Sequence, residues 1–374
     1  MRIAFLCKRK YMGKDVIMDR YARLYEIPYQ LARLGHVVHG YCFSYQGHDE
    51  GTWKHDALPG TLSWKSRSPG FGYVPGLLLY PAKLLREVRG FAPDVIIGAS
   101  DIPHVVLAAR IAGRLKVPYV ADLYDNFESF GQARIPGMVG TLRRAVRDAQ
   151  FVTTTSEPLK QLVLEQYAAR GTVMAIPSTV DKAIFRRLDR RAARVSLGLP
   201  EHAVLIGTAG GLHSNKGVDV LYAAWPDIAT RHPDVHLVLA GPIDSNLPPP
   251  VDARVHYLGS LPHDRTAEVF NALDVGIIYL RDTAFGRYCF PQKAYEMLAC
   301  GLPIIAAGVG VMPGLLAATP AALYRPEDVE DLQRALSYQL DARSGIDTPI
   351  QDWEQLVGEM NRKLIEIAGI NRRL

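Results

Sequence analysis

Short apolar, β-branched runs alternate with helix-patterned stretches along the whole chain, and this rhythm restricts the fold more than any other feature. In the first half the runs are Ile3 to Cys7, Val37 to Phe43, Asp94 to Ala99, Tyr119 to Leu123, Phe151 to Thr155 and Val173 to Ile176. In the second half they are Val204 to Ala209, Val235 to Ala240, Val255 to Leu258, Val275 to Leu280, Pro303 to Ala306 and Ala322 to Tyr324. Strands separated by helices pair in parallel, because a parallel neighbour is reached through a crossover. The 374 residues supply material for two domains. The expectation is two similar α/β units that join between Pro177 and about Pro200, where a basic linker helix runs from Phe185 to Arg194.

Composition narrows the function classes. A net charge of +5 is too small for this length to imply nucleic acid as a partner. Cys7, Cys42, Cys289 and Cys300 have neither CxxC spacing nor a His cluster, so neither a zinc site nor a disulfide framework is expected, and the setting reads as reducing and cytoplasmic. No residue between Glu296 and Arg325 is charged, which is length enough for a membrane span, yet Gly301, Pro303, Gly308, Gly310, Pro313, Gly314 and Pro320 cut it into short elements.

Ligands of parallel sheets bind beyond the carboxyl ends of strands, so the strand-to-helix loops carry the chemistry. The run Val204 to Ala209 leads into Gly210-Gly211-Leu212-His213-Ser214-Asn215-Lys216-Gly217 and then a helix. Two glycines allow close backbone approach, Ser214 or Asn215 is placed to cap the helix, and Lys216 adds a cation, a combination suited to phosphate. It is neither a Walker A sequence nor a GxGxxG fingerprint. Further on, Pro291-Gln-Lys293-Ala-Tyr-Glu296-Met-Leu-Ala-Cys-Gly301 forms a helix with Glu296 among apolar neighbours. A buried carboxylate needs a partner, and Lys293 one turn back or a ligand diol fits.

These segments, with Val255 to Pro262, Val269 to Val275 and Asp352-Trp353-Glu354, resemble glycosyltransferase family four across nearly the whole chain. The resemblance implies a GT-B fold, two facing Rossmann-like doubly wound parallel-sheet domains with a cleft between them. Residues 1–180 would be the acceptor-side domain, residues 181–350 would bind the nucleotide sugar, and a helix in 351–374 would cross back to the first domain. It implies a retaining, metal-independent hexosyltransferase that uses a nucleotide-diphosphate sugar and no cofactor, in keeping with the absence of Asp-x-Asp. The acceptor would be a glycan or lipid-linked hydroxyl in polysaccharide or glycoconjugate synthesis.

Residue by residue, Lys216 falls on the lysine that holds the donor phosphates and Glu296 on the glutamate that binds ribose. The usual Gly-Arg-Leu is Gly210-Gly211-Leu212 here, so Arg281, Arg287 or His213 is expected to replace the missing arginine. Tyr288 stands where a first glutamate is common, and with Lys293 it joins the substrate-binding group. Tyr124 replaces a frequent histidine, and Asp125 beside it is the second catalytic candidate; Asp101 reads as a helix cap. The basic loop Lys8 to Lys14 is expected to face the acceptor, and the segment Gly70 to Arg86 has the composition of a peripheral membrane helix. An epimerase of the same fold and a non-catalytic nucleotide-sugar binder are the alternative readings.

Overall fold

The computed structural model describes residues 1–70, 73–342 and 349–370. Phe71 and Gly72 of the candidate membrane segment, and residues 371–374 of the closing helix, lie outside the described residues. Two compact units are present, one comprising Met1–Ser178 with the chain from Trp353 onward, the other Thr179–Asp352.

The first unit opens with β1 (Arg2–Lys8), a small hairpin of β2 (Lys10–Tyr11) and β3 (Lys14–Asp15), α1 (Arg23–Arg33) and β4 (Val37–Phe43). An antiparallel pair follows, β5 (Gly51–His55) and β6 (Thr61–Arg67), and then α2 (Tyr73–Phe91). Alternation resumes with β7 (Val95–Ala99), α3 (Ile102–Leu115), β8 (Tyr119–Leu123), α4 (Met138–Arg147), β9 (Phe151–Thr154), α5 (Glu157–Glu165) and β10 (Thr172–Ala175). Among the described residues these strands form an eight-stranded sheet in the order β10-β9-β8-β7-β1-β4-β6-β5, with β5 antiparallel to its neighbour.

In this unit the buried strand residues read as continuous apolar runs, as burial on both faces requires. One charged pair lies inside: Arg23 of α1 and Asp122 of β8 are both fully buried and bond at 2.6 Å, Thr153 donates a further hydrogen bond to the carboxylate, and Arg23 also donates to the Ile176 carbonyl. The partners compensate the desolvation of each charge.

The second unit contains α6 (Arg190–Leu197), β11 (Val204–Ala209), α7 (Val218–Arg231), β12 (Val235–Ala240), β13 (Val255–Tyr257), α8 (His263–Ala272) and β14 (Val275–Ile278). It continues with α9 (Ala284–Tyr288), α10 (Gln292–Ala299), β15 (Ile304–Ala307), α11 (Met312–Leu315), β16 (Leu323–Tyr324) and α12 (Val329–Ala342). Its parallel sheet has the order β13-β12-β11-β14-β15-β16. Strand order therefore reverses between β11 and β14, and such a switch point is where open parallel sheets bind ligands, beyond the carboxyl ends of the strands. The linker helix α6 is anchored by buried Arg194, which donates to Asp274 and to the carbonyls of Ala272, Glu201 and Ala203.

Finally α13 (Trp353–Ile370) packs in the first unit, where Trp353, Leu356, Val357, Met360 and Leu364 join the core beside α1. His36 donates to Asn361 at 2.6 Å. Among the described residues no helix is long and apolar enough to cross a membrane, and the uncharged stretch after Glu296 is built from the end of α10, β15, α11 and β16.

Candidate functional site

At the switch point of the second unit the chain leaves β11 through Gly210, whose φ of 117° lies in the left-handed region. The turn is braced from behind by Gly241, where a Cβ would stand 2.0 Å from the Gly210 carbonyl oxygen. Gly210 donates to Ala240 and Leu212 to Pro242, whereas the N–H of Gly211 has no acceptor among the described residues. It remains open to an anion.

Around this turn the structure gathers five of the residues singled out in the sequence. A Cβ on Gly211 would lie 3.0 Å from Lys216 Nζ and 2.9 Å from the His213 ring, and one on Gly210 would lie 3.4 Å from Lys293 Nζ. A side chain at 211 would have to displace the Lys216 ammonium and the His213 ring, which close over the glycine. Lys293 also rests 4.7 Å above the ring of Tyr279, whose hydroxyl donates to the Gly211 carbonyl. Tyr279 follows β14 and was hidden in the sequence inside an apolar run.

Glu296 lies one turn beyond Lys293 on α10 and is 7% exposed. Of the two partners the sequence allows, Lys293 is not its hydrogen-bond donor. Gln292 fills that place at 3.1 Å, and among the described residues Lys293 makes no ion pair. Burial pushes Glu296 up to about 7 against the opposing pull of Lys293 and Gln292. Burial, reinforced by the charge of Lys216, brings Lys293 down to about 8 against the pull of Glu296. Two ammonium groups and an imidazole therefore converge on an open backbone N–H without a bonded counter-ion, which is a preformed place for a polyvalent anion.

The other expected arginines are occupied elsewhere. Arg281 donates to Asp219 and Glu327, both at 2.7 Å, and to the Ser214 carbonyl. Arg287 forms an exposed pair with Asp282, and Tyr288 ends α9 half-buried. Ser214 does not cap α7: its hydroxyl donates to Asp244, and the helix starts after Gly217, whose φ is 100°.

In the first unit a second polar cluster lies at the carboxyl ends of β1, β7 and β8. Lys8 turns inward, donates to the Tyr124 hydroxyl at 2.8 Å and faces the rings of Tyr124 and Phe130. Asp125 is 8% exposed and accepts from the Asn126 N–H; burial pushes it up to about 6, against that bond and the charge of Lys8. The expected basic loop is divided in role, because Arg9 is buried on Asp15, Ser66 and the Asp49 carbonyl beneath Trp53, while Lys10 and Lys14 stay exposed on the hairpin. Asp101 caps α3, accepting from the His104 N–H, and holds the His104 ring and the Tyr45 hydroxyl as well. Among the described residues no group of three His, Cys, Asp or Glu is arranged to hold a metal ion.

Residues 22–179 match the family model described as a glycosyl transferase 4-like domain, and residues 203–342 match that of the glycosyl transferases group 1. The D-inositol 3-phosphate glycosyltransferase of Mycolicibacterium gilvum (strain PYR-GCK) is 33% identical over 177 residues, 44% of this chain and 38% of its own length. The chain thus aligns with well under half the length of that curated relative. Sucrose-phosphate synthase from Thermosynechococcus elongatus superposes with a TM-score of 0.71 at 16% identity, covering 100% of this chain and 98% of its own. HepE from Anabaena, solved in complex with UDP, gives 0.67 at 17% identity with the same coverages of 100% and 98%. These likenesses establish a shared fold over the whole chain.

Proposed function

Because the chain belongs to glycosyltransferase family four, the group 1 enzymes of GT-B fold, we propose that it moves a hexose from a nucleoside-diphosphate sugar to a hydroxyl acceptor with retention of anomeric configuration. The observation that carries this reading is the convergence of Lys216, the open Gly211 N–H and Glu296 beyond the carboxyl ends of β11 and β14. When the anomeric bond breaks, negative charge grows on the departing diphosphate. Donors aimed at it strengthen in the transition state and lower the barrier. Lys216 and the glycine turn fill that role, and Glu296 accepts from the two ribose hydroxyls, which do not change during transfer.

The acceptor is assigned to the first unit, where Asp125, with its raised affinity for a proton, accepts the hydrogen bond of the attacking hydroxyl and Lys8 steadies Tyr124. Charge neutralisation falls to lysines, so no metal is required in this scheme. A lipid-linked acceptor is supported by α2, whose solvent side presents Val74, Leu78 and Leu79 and then Lys83, Arg86 and Arg89, while the one acid among them, Glu87, is held by Lys65 and Arg67. That face suits peripheral contact with an anionic membrane surface. The epimerase and sensor readings are not favoured by the family matches, which are to transferase domains.

The test is to incubate the protein in EDTA with a panel of nucleotide sugars and to measure nucleotide release with and without a cell lipid extract. Release that requires one donor and rises with the extract is expected. Release restored only by manganese or magnesium refutes metal independence, and no release with any donor refutes transfer.

A further inference from the structure

We infer that the second unit carries a binding site for a phosphomonoester, built around Arg187 and separate from the glycine turn. A cavity of about 460 Å³ is floored by the buried side chains of Phe270, Leu273 and Leu302, and the exposed Arg187 and Arg190 stand at its mouth. Leu273 lies just before β14 and Leu302 just before β15, so the cavity is at the amino ends of the parallel strands. The glycine turn lies at the other end of the sheet, beyond the carboxyl end of β11. The inference therefore goes beyond the transferase reading and does not depend on it.

Three observations point to an anion. The backbone that presents Arg187 is fixed on both sides: the Arg186 carbonyl accepts from Asn271 at 3.0 Å, the Leu188 N–H donates to the same buried amide at 2.7 Å, and Asp189 caps α6. The position of the arginine is thus set in advance, which lowers the entropic cost of binding. Its guanidinium lies against Gly301, where a Cβ would stand 3.0 Å from Cζ, yet among the described residues it makes neither a hydrogen bond nor an ion pair. The end of α10 beneath it is closed by its own backbone, Gly301 donating to Leu298 and Leu302 to Met297. The partial negative charge of that helix end attracts the guanidinium without neutralising it.

The nearby carboxylates are already spent. Asp274 is shared by Arg190 and Arg194, at 2.8 and 2.7 Å, and Asp189 accepts from the Ala192 N–H. Arg191 on the same helix shows the ordinary surface solution, a pair with Glu201 at 2.6 Å. A phosphate fits the two arginines at the mouth better than a carboxylate does, because its three terminal oxygens can accept from more than one guanidinium fork. The body of the ester then rests on the apolar floor.

The experiment is calorimetric titration of the full chain with phenyl phosphate, with and without excess UDP, and with benzoate and benzyl alcohol as the carboxylate and uncharged probes. One site for phenyl phosphate is expected, and UDP should leave its affinity within about twofold. Arg187→Met should weaken phenyl phosphate about tenfold to a hundredfold, the range for losing a charged hydrogen bond. Arg187→Lys should restore only part of the loss, since an ammonium does not reproduce the fork. Lys216→Met should bind phenyl phosphate as wild type does, and Arg187→Met should bind UDP as wild type does. Arg187→Gln, read the same way, serves if the methionine variant does not fold. Phenyl phosphate that binds no tighter than benzyl alcohol, that UDP displaces, or that Arg187→Met binds unchanged overturns the inference. Benzoate bound as tightly as phenyl phosphate overturns the assignment to a phosphate. Each of these outcomes leaves the transferase reading standing, because that reading fails on the absence of nucleotide release.

Discussion

Glu296 and Lys293 stand one turn apart on α10 and titrate against each other's purpose. In the proposed donor site Glu296 would accept from a diol when ionised, and it ionises as pH rises through about 7; Lys293 would attract phosphate when charged, and it loses that charge as pH rises through about 8. Nucleotide affinity should therefore peak between these values and fall on both sides, which a series of binding titrations from pH 5.5 to 9.5 will show. A flat profile would remove both groups from the site. The same shift has a cost in the empty protein. A carboxyl with a folded pKa raised above its unfolded value favours folding at low pH, and that advantage is lost as pH rises towards about 7. Glu296→Gln should consequently melt higher than wild type at pH 8 and equally at pH 5, while binding UDP about tenfold more weakly. Lys216→Met should differ in kind and mainly lower kcat, since it meets charge that grows during reaction. Should Lys216→Met raise only KM while Glu296→Gln abolishes turnover at unchanged affinity, the two roles are reversed.

At the scale of elements, the apolar strands and the glycine turn were legible because each announces itself over a few consecutive residues. The β5–β6 pair was not. Thr61-Leu-Ser-Trp-Lys-Ser-Arg67 alternates polar and apolar residues one strand in from the edge, and Trp64 is fully buried there over Gly40, whose Cβ would lie 2.1 Å from its ring. Nor could the sequence show that Arg281 is held by Asp219 and Glu327, 62 and 46 positions away, or that Lys293 returns to Gly210, 83 positions earlier. Such pairings exist only once the sheet has closed. Arg23 on α1 is the clearest instance, since an arginine at a helix start reads as solvated yet here it is fully buried on Asp122. Arg23→Met or Asp122→Leu alone strands a buried charge and should cost about 3–5 kcal/mol. The double variant should cost clearly less than the sum, as measured by denaturant unfolding. Additive costs would mean that the two charges do not compensate each other.

For the molecule as a whole, the consequential feature is that the second unit is continuous in sequence and the first is not. Thr179–Asp352 contains its own sheet and core and both segments of the proposed donor site, whereas the first unit is completed by a helix supplied from the end of the chain. The placement of Trp353, Leu356, Val357, Met360 and Leu364 against α1 removes five large side chains from water, each contributing about 1.5–3 kcal/mol by burial. Since a domain's net stability is about 5–15 kcal/mol, loss of that helix should consume most of the first unit's margin. Truncation after Asp352 should therefore leave nucleotide binding within about threefold of the intact chain, a shift smaller than the roughly tenfold effect of one charged hydrogen bond. The same truncation should abolish acceptor-dependent transfer and lower an early unfolding transition, read by calorimetry with UDP present and absent. UDP should raise the later transition alone, because a ligand stabilises the unit that binds it. If the truncated chain loses nucleotide binding while the later transition persists, the donor site depends on residues of the first unit, and the assignment of nucleotide recognition to Thr179–Asp352 is wrong.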